Sequence, residues 1–416
     1  MLDAKLIEEK PELLKKSVKE RGLNELLKKV DEFVKLRKDW KFLKTKLDSL
    51  RHERNKISLS INEAIKSNNK QEAETKKKRA KEISEDVKKT EEKIILLDRT
   101  LKYFDLEFPN LIDKLPKKDR IVEKHGKEKK EKWMKNYEEL NKNLKIVDFD
   151  TAVNMSGTGF YTLIGDGAKL ERALINFFLD MRKKQGYKEV SVPFLVTEEA
   201  MINSGQLPKF KEDMFVTQEN LYLIPTSEVP LLNLYAGKFL NENELPIYVT
   251  AYSPCFRVEK GATKGFFRVK QFSKVELFKF VKQEDSFKEL DKILKDAVET
   301  LKKLGLTYRV KILSAEEIGF ASAKTYDIEV YTPFNGWLEV SSCSNCTDFQ
   351  SRRAKIKYIN KKGEKKFVHT LNGSGLAVPR VIISILENCQ QKDGSIKIPK
   401  TLKSYFGKDK IKIKEK

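Results

Sequence analysis

The chain has 416 residues, too many for one ordinary domain, and its 39% hydrophobic residues suffice for a buried core. A net charge of +22 with 35% charged residues favours a polyanionic partner, although a lysine-rich coding bias produces the same excess. No run of about 18 apolar residues is present, the N-terminus lacks a signal-peptide core, and four cysteines do not make a disulfide framework; no membrane span and a reducing cytoplasmic location are expected.

Residues 1–105 read as a helical domain. Asp3 is suited to cap a first helix and Pro11 to open a second. From Val30, apolar positions step by three and four through Phe33, Leu36, Trp40, Leu43, Leu47, Leu50, Ile57, Ile61 and Ala64. The pattern stops at the polar stretch 67–70 and resumes through Ala73, Ile83, Val87, Ile94, Leu101 and Phe104. Two matched heptad runs about a short turn predict an antiparallel coiled-coil arm over about 30–102. At 1.5 Å per residue such an arm is about 50–60 Å long and encloses no active site. Lysines interleaved with glutamates stud its outer faces, which fits phosphate contacts or a solvated or dimerising coiled-coil surface. Residues 106–155 read as a charge-dense connector with turns at 108–110 and 115–119. His125 there has no partner in the sequence, so no catalytic role is assigned to it.

From 156 to 416 lysine thins and ordered elements appear. A helix is predicted over 168–185, ended by Gly186, followed by a strand over 190–196 whose Pro193 places it at an edge or interface. At 223–230 a strand runs into Thr226, Ser227 and Glu228 at a helix start. These three are either a cap with its acidic first turn or the lining of a pocket for an ammonium- or hydroxyl-bearing ligand. The stretch 252–278 reads as two β runs around a basic loop containing Gly261, Lys264 and Gly265. The second run, 266–280, alternates. Arg268, Lys270, Phe272, Lys274 and Glu276 share one face, and Phe267, Val269, Gln271, Ser273 and Val275 share the other. A floor carrying Arg257, Arg268, Phe272 and Glu276 can grip a polyanion and stack a planar base; a solvated sheet face is the plain alternative.

A helix follows over 284–304, then strands at 307–313 and 323–331 and the stretch 337–350. Glu339 and Ser342 suit an oxygen-ligated cation such as Mg²⁺ on a nucleotide. Cys343 and Cys346 make a single CxxC, and with only three histidines in the chain no zinc is expected, only buried thiols. Near the end, a strand is predicted to stop at AsnGlySerGly, 372–375, before a helix from about 377 with Arg380 in its first turn. The glycines allow close backbone approach, and the helix start favours a phosphate.

In this order, FRVE at 256–259 with RVKQFSKVE at 268–276, and LNGSGLA at 371–377 with Arg380, resemble motifs 2 and 3 of the class II aminoacyl-tRNA synthetases. The helix and strand through Pro193 resemble motif 1, the dimer-interface motif. Thr226–Ser227–Glu228 and EVSSCSNCTDFQSRR from 339 are similar to the bacterial-type seryl-tRNA synthetase branch, and the likeness covers nearly the whole chain. The resemblance implies an α+β chain: an N-terminal antiparallel coiled-coil arm that binds tRNA, then a class II synthetase catalytic domain with a mainly antiparallel sheet flanked by helices, working as a cytoplasmic homodimer. It implies activation of L-serine with ATP and Mg²⁺, release of pyrophosphate, and transfer of serine to tRNA(Ser), with tRNA(Sec) an open second acceptor.

Carried over residue by residue, Arg257, Glu276 and Arg380 are the catalytic groups. ATP falls to Arg257, Val258, Glu259, Phe272, Glu339, Val340, Ser341, Ser342 and Arg380. Serine falls to Thr226, Ser227, Glu228, Glu276, Asn372 and Ser374, and Mg²⁺ to Glu339 and Ser342. The loop at 260–267 is shorter than is usual in the family. Pro379 replaces a usual glycine, which a helix's first turn tolerates.

Overall fold

The computed structural model describes residues 1–259 and 265–413. The chain divides into two compact units, Leu2–Phe108 and Pro109–Lys416, the second joined by Met1.

The first unit contains helices α1 (Ala4–Glu9), α2 (Pro11–Glu20), α3 (Leu27–Lys66) and α4 (Lys70–Glu107). Asp3 caps α1 by accepting from the backbone N–H of Lys5 at 2.9 Å, and Pro11 opens α2. The turn between the long helices places Asn68 at φ +56°, and Asn69 caps α4 by accepting from the Glu72 N–H at 3.2 Å. The seam is the heptad pattern made physical. Leu47, Ile83, Val87 and Ile94 are buried against Trp40, Leu43, Leu50 and Ile57. Each buried Leu or Ile contributes about 1.5–3 kcal/mol. Cross-arm pairs such as Arg51–Glu91 at 2.8 Å and Arg79–Glu53 at 3.0 Å are exposed and add little.

The second unit is built on β1 (Arg120–His125), α5 (Asp166–Lys184), β2 (Lys188–Glu189), α6 (Glu228–Asn233), β3 (Ile247–Phe256), β4 (Gln271–Val281), α7 (Ser286–Leu304), β5 (Tyr308–Ile312), β6 (Lys324–Thr332), β7 (Gly336–Thr347), β8 (His369–Ala377) and α8 (Val378–Asn388). The eight strands form one sheet in the order β1-β5-β6-β7-β8-β4-β3-β2, antiparallel except at β2–β3. On one face, Val275, Leu277, Ile328 and Leu371 pack with Leu174 and Phe178 of α5, Ile293 and Leu301 of α7 and Ile382 of α8. Period-two alternation then turns Phe272, Lys274 and Glu276 of β4 to the opposite face. Further along β4 the same alternation delivers Phe278 and Phe280 into a second apolar cluster. The site therefore lies on the sheet face that α5, α7 and α8 leave open.

Several elements differ from expectation. The second β run begins at Gln271, not 266, because 265–270 turns away from the ladder. The strand expected over 190–196 is broken. Lys188–Glu189 pairs with β3 and Leu195–Val196 pairs with Tyr222–Leu223, so the chain changes sheets around Pro193, which has no N–H to give a ladder. AsnGlySerGly is not a turn. It lies inside β8, and its glycines serve packing: a Cβ on Gly373 would sit 3.1 Å from Cys343 Sγ, and one on Gly375 would sit 3.0 Å from Leu277 Cδ1. The stretch expected to be a connector supplies the edge strand β1 and the core helix Tyr137–Leu144. Gly261 and Lys264 lie outside the described residues.

Candidate active site

Two adjoining cavities of about 170 and 540 Å³ open on this face. Both are lined by Arg257, Glu259, Arg268, Lys274, Glu339 and Ser374. The smaller adds Phe272, Val340, Ser341 and Arg380. The larger adds Thr226, Glu228, Glu276, Ser342 and Asn372. Arg257 follows β3, and its guanidinium carbon lies 5.1 Å from the centre of the Phe272 ring across the hairpin. Arg380, in the first turn of α8 with Pro379 at the helix start, donates to the Glu339 carbonyl at 2.6 Å and to the Phe267 carbonyl at 3.3 Å. The helix start thus aims a fixed cation at the cavity, as its sequence position predicts. Glu259 has a left-handed backbone, φ +53°, and its carboxylate accepts from Arg268 Nε at 2.5 Å.

The larger cavity holds a buried polar cluster. Glu276 is 2% exposed and ion-paired with Lys274. Thr226 Oγ1 donates to Glu276 Oε2 at 2.7 Å and accepts from Lys274 Nζ at 2.8 Å. Register explains the convergence: Ser374 of β8 stands directly opposite Glu276. Glu228, the first residue of α6, accepts at Oε1 from Gln350 Nε2 at 2.5 Å and from Asn372 Nδ2 at 2.8 Å. Burial, then the nearby charge of Glu276, pushes the Glu228 carboxyl up to about 7.

A third group sits at the β6–β7 rungs. Asp327 pairs with Ser342 across the ladder, and the Ser342 hydroxyl hydrogen-bonds it. Burial and the neighbouring Glu339 carboxylate raise Asp327, whose Oδ1 is buried with no hydrogen-bond partner among the described residues. Two carboxylates that repel one another, one of them with an orphaned buried oxygen, and a hydroxyl form a donor set that fits Mg²⁺.

Two expected site residues fall elsewhere. Ser227 is fully buried with its hydroxyl 2.6 Å from that of Ser253 of β3, and it lines neither cavity. Val258 also lines neither cavity; its N–H donates to the Asp213 carbonyl at 3.0 Å. Cys343 and Cys346 are buried, and burial pushes the Cys343 thiol up to about 12.

Reading the sequence missed Lys274, Gln350 and Asp327. The alternation placed Lys274 on the floor with Phe272 and Glu276, a usable signal. Gln350 has none. It sits fully buried beyond β7, its own carbonyl oxygen accepting from Thr370 Oγ1 at 2.7 Å, and reaches a glutamate 122 positions away.

Residues 1–112 match the model of the seryl-tRNA synthetase N-terminal domain, and residues 210–389 match the tRNA synthetase class II core domain (G, H, P, S and T). Over 426 aligned residues, covering 99% of each chain, the sequence is 42% identical to the serine–tRNA ligase of Carboxydothermus hydrogenoformans. The chain belongs to the seryl-tRNA synthetase family. Another seryl-tRNA synthetase relative, the serine–tRNA ligase of Caldicellulosiruptor saccharolyticus, is 54% identical over 280 residues, 66% of this chain and 67% of that one. The crystal structure of seryl-tRNA synthetase from Pyrococcus horikoshii complexed with ATP superposes with a TM-score of 0.94 at 34% identity, covering 100% of both chains. The cytoplasmic serine–tRNA ligase of Naegleria fowleri in complex with AMP gives 0.87 at 29% identity, covering 100% of this chain and 99% of that one. The helical arm and the mainly antiparallel, helix-flanked sheet are the two parts that the seryl-tRNA synthetase resemblance implied.

Proposed function

We infer that the chain is a serine–tRNA ligase. It activates L-serine with ATP, releases pyrophosphate and passes the seryl group to the 3′ end of tRNA(Ser), with tRNA(Sec) a candidate second acceptor. The observation that carries this reading is the convergence of Arg257 and Arg380 on a cavity contiguous with the buried Glu228–Glu276–Lys274 cluster. The first step brings a carboxylate against the α-phosphorus of ATP, two anions. Arg257 on the α-phosphate and Arg380 at the far phosphate side offset their repulsion and stabilise charge growing on the phosphoryl oxygens. Phe272 offers its ring to the adenine, with Glu259 at the base edge and Val340 and Ser341 along the nucleotide.

Glu276, Glu228 and Thr226 receive the serine ammonium and hydroxyl, with Asn372 and Ser374 beside them, fixing the substrate carboxylate for in-line attack. Groups that hydrogen-bond the hydroxyl reject alanine, which leaves them unpaired. Ser227 is left out of this pocket. Mg²⁺ accompanying the nucleotide supplies positive charge against the phosphates; Glu339 and Ser342 would hold it, with Asp327 behind them.

The arm at about 30–102 is proposed to bind the tRNA body, and 156–416 to be the catalytic domain. The chain is proposed to act as a cytoplasmic homodimer through α5 and the segment around Pro193. Among the described residues no helix is long and apolar enough to cross a membrane. The test is amino-acid-dependent ATP–pyrophosphate exchange. Exchange is expected with serine; exchange with threonine or alanine but not serine overturns the assignment.

A further inference from the structure

A second, smaller sheet stands apart from the cavities: Phe239–Asn241, Lys357–Ile359 and Lys365–Phe367, none of whose residues lines either one. Its inner face is fixed, because Leu240 and Tyr358 are buried in an apolar cluster with Val368 and Phe280. Register then dictates the outer face, which carries two rows. One is Phe239, Lys357 and Phe367; the other is Asn241, Ile359 and Lys365. On this outer face Phe239 is 55% exposed and Ile359 38% exposed.

The cations on this face stand against its rings. Lys365 Nζ lies 5.3 Å and Lys357 Nζ 6.0 Å from the centre of the Phe239 ring. Lys357 Nζ lies 4.8 Å and the Arg352 guanidinium carbon 4.6 Å from the centre of the Phe367 ring. The turn that closes the sheet adds Lys361 and Lys362. Over 352–367 the sequence has eight Lys or Arg in sixteen residues and a single acid, Glu364, although Arg353 is buried away from this face and Arg352 is ion-paired with Asp348 at 2.7 Å. Two nearby carboxylates are already engaged: Glu364 accepts from Asn360 Nδ2 at 2.7 Å, and Glu242 accepts from the Lys361 N–H at 2.7 Å.

We propose that this sheet face binds single-stranded RNA, an unpaired base stacking on Phe239 while Lys357 and Lys365 hold the flanking phosphates. A half-exposed ring on a sheet, with mobile-stemmed ammonium groups beside it that a base can displace toward the backbone, supplies both elements of single-strand recognition: a platform that accepts any base face and charges near the phosphates. A second copy of this chain is the less favoured occupant, because apposing two such faces brings lysine against lysine.

The test uses the full chain and fluorescein-labelled oligouridine of about ten nucleotides, followed by anisotropy. Phe239→Ala is expected to weaken binding by about tenfold, and Phe239→Tyr, which keeps the ring, to restore it. An oligomer of equal charge but without bases should bind the wild type no better than it binds Phe239→Ala. A 4-thiouridine probe should crosslink to the peptide carrying Phe239. Equal affinity of wild type and Phe239→Ala, or equal binding of the base-free oligomer and oligouridine to wild type, overturns the proposal. So does a fall in oligomeric mass in Phe239→Ala, which would assign the face to a second copy. Serine-dependent pyrophosphate exchange is measured on every variant. It is expected to be unchanged, and its absence from the wild type would count against the ligase reading, not this one.

Discussion

Replacing Glu228 by Gln probes a strongly perturbed carboxyl of the serine pocket. The amide keeps an oxygen for Gln350 and Asn372 but cannot ionise. In the folded chain the Glu228 carboxyl is raised from 4.5 to about 7, by burial first and by Glu276 second. That difference of about 2.5 units corresponds to about 3 kcal/mol. The folded state holds this proton more tightly than the unfolded one. The associated stability is therefore fully present below pH 4.5 and is lost as pH rises through 7. Between pH 5 and pH 8 the wild type should lose about 2.5 kcal/mol that Glu228→Gln does not lose. Denaturant unfolding of both proteins at the two pH values, taken as a double difference, cancels the titrating groups that do not interact with Glu228. A parallel readout is the KM for serine: the ionised carboxylate is the form that receives an ammonium, so wild-type KM should rise as pH falls below 7, while that of the variant stays high and flat. A stability gap between the two proteins that is the same at pH 5 and pH 8 would refute the reasoning.

Arg257→Ala should lower pyrophosphate exchange by about 10²-fold or more while leaving the unfolding midpoint unchanged, because the guanidinium faces a cavity and not the core. Gln350→Ala should raise the serine KM with little change in ATP KM, since it leaves Glu228 without one of its two donors at a cost of about 1–3 kcal/mol; equal shifts in both would argue against a role through Glu228. Leu47→Ala in the arm should destabilise the first unit by about 2–5 kcal/mol, read by thermal unfolding, with pyrophosphate exchange unaffected. Deleting 32–102 should spare adenylate formation and abolish tRNA charging; equal loss of both would make the arm merely structural.

The arm was legible because its information is local. Three- and four-residue steps from Phe33 to Ala64 and from Ala73 to Phe104 define one stripe on each helix, and two stripes with a polar turn between them have one obvious way to close. The face of β4 was legible for the same reason: alternation alone put Phe272, Lys274 and Glu276 together. Element ends were less so. Whether AsnGlySerGly turns or continues as strand depends on Cys343, Ile293 and Leu277 packing against its glycines, and these are contacts from other elements.

Local spacing thus determined the helical arm and the floor of the site, since period and capping act between neighbours in the chain, while the roles of Arg257 and Arg380 came from the family resemblance. Only the tertiary structure decided that Ser227 turns to Ser253 while Thr226 turns to Glu276, that Gln350 and Asn372 hold Glu228, and that Asp327 stands behind Ser342. Those choices are set by register and burial between segments far apart in sequence, where desolvation shifts a carboxyl and a neighbouring strand selects its partner, and neither quantity exists until the sheet has closed.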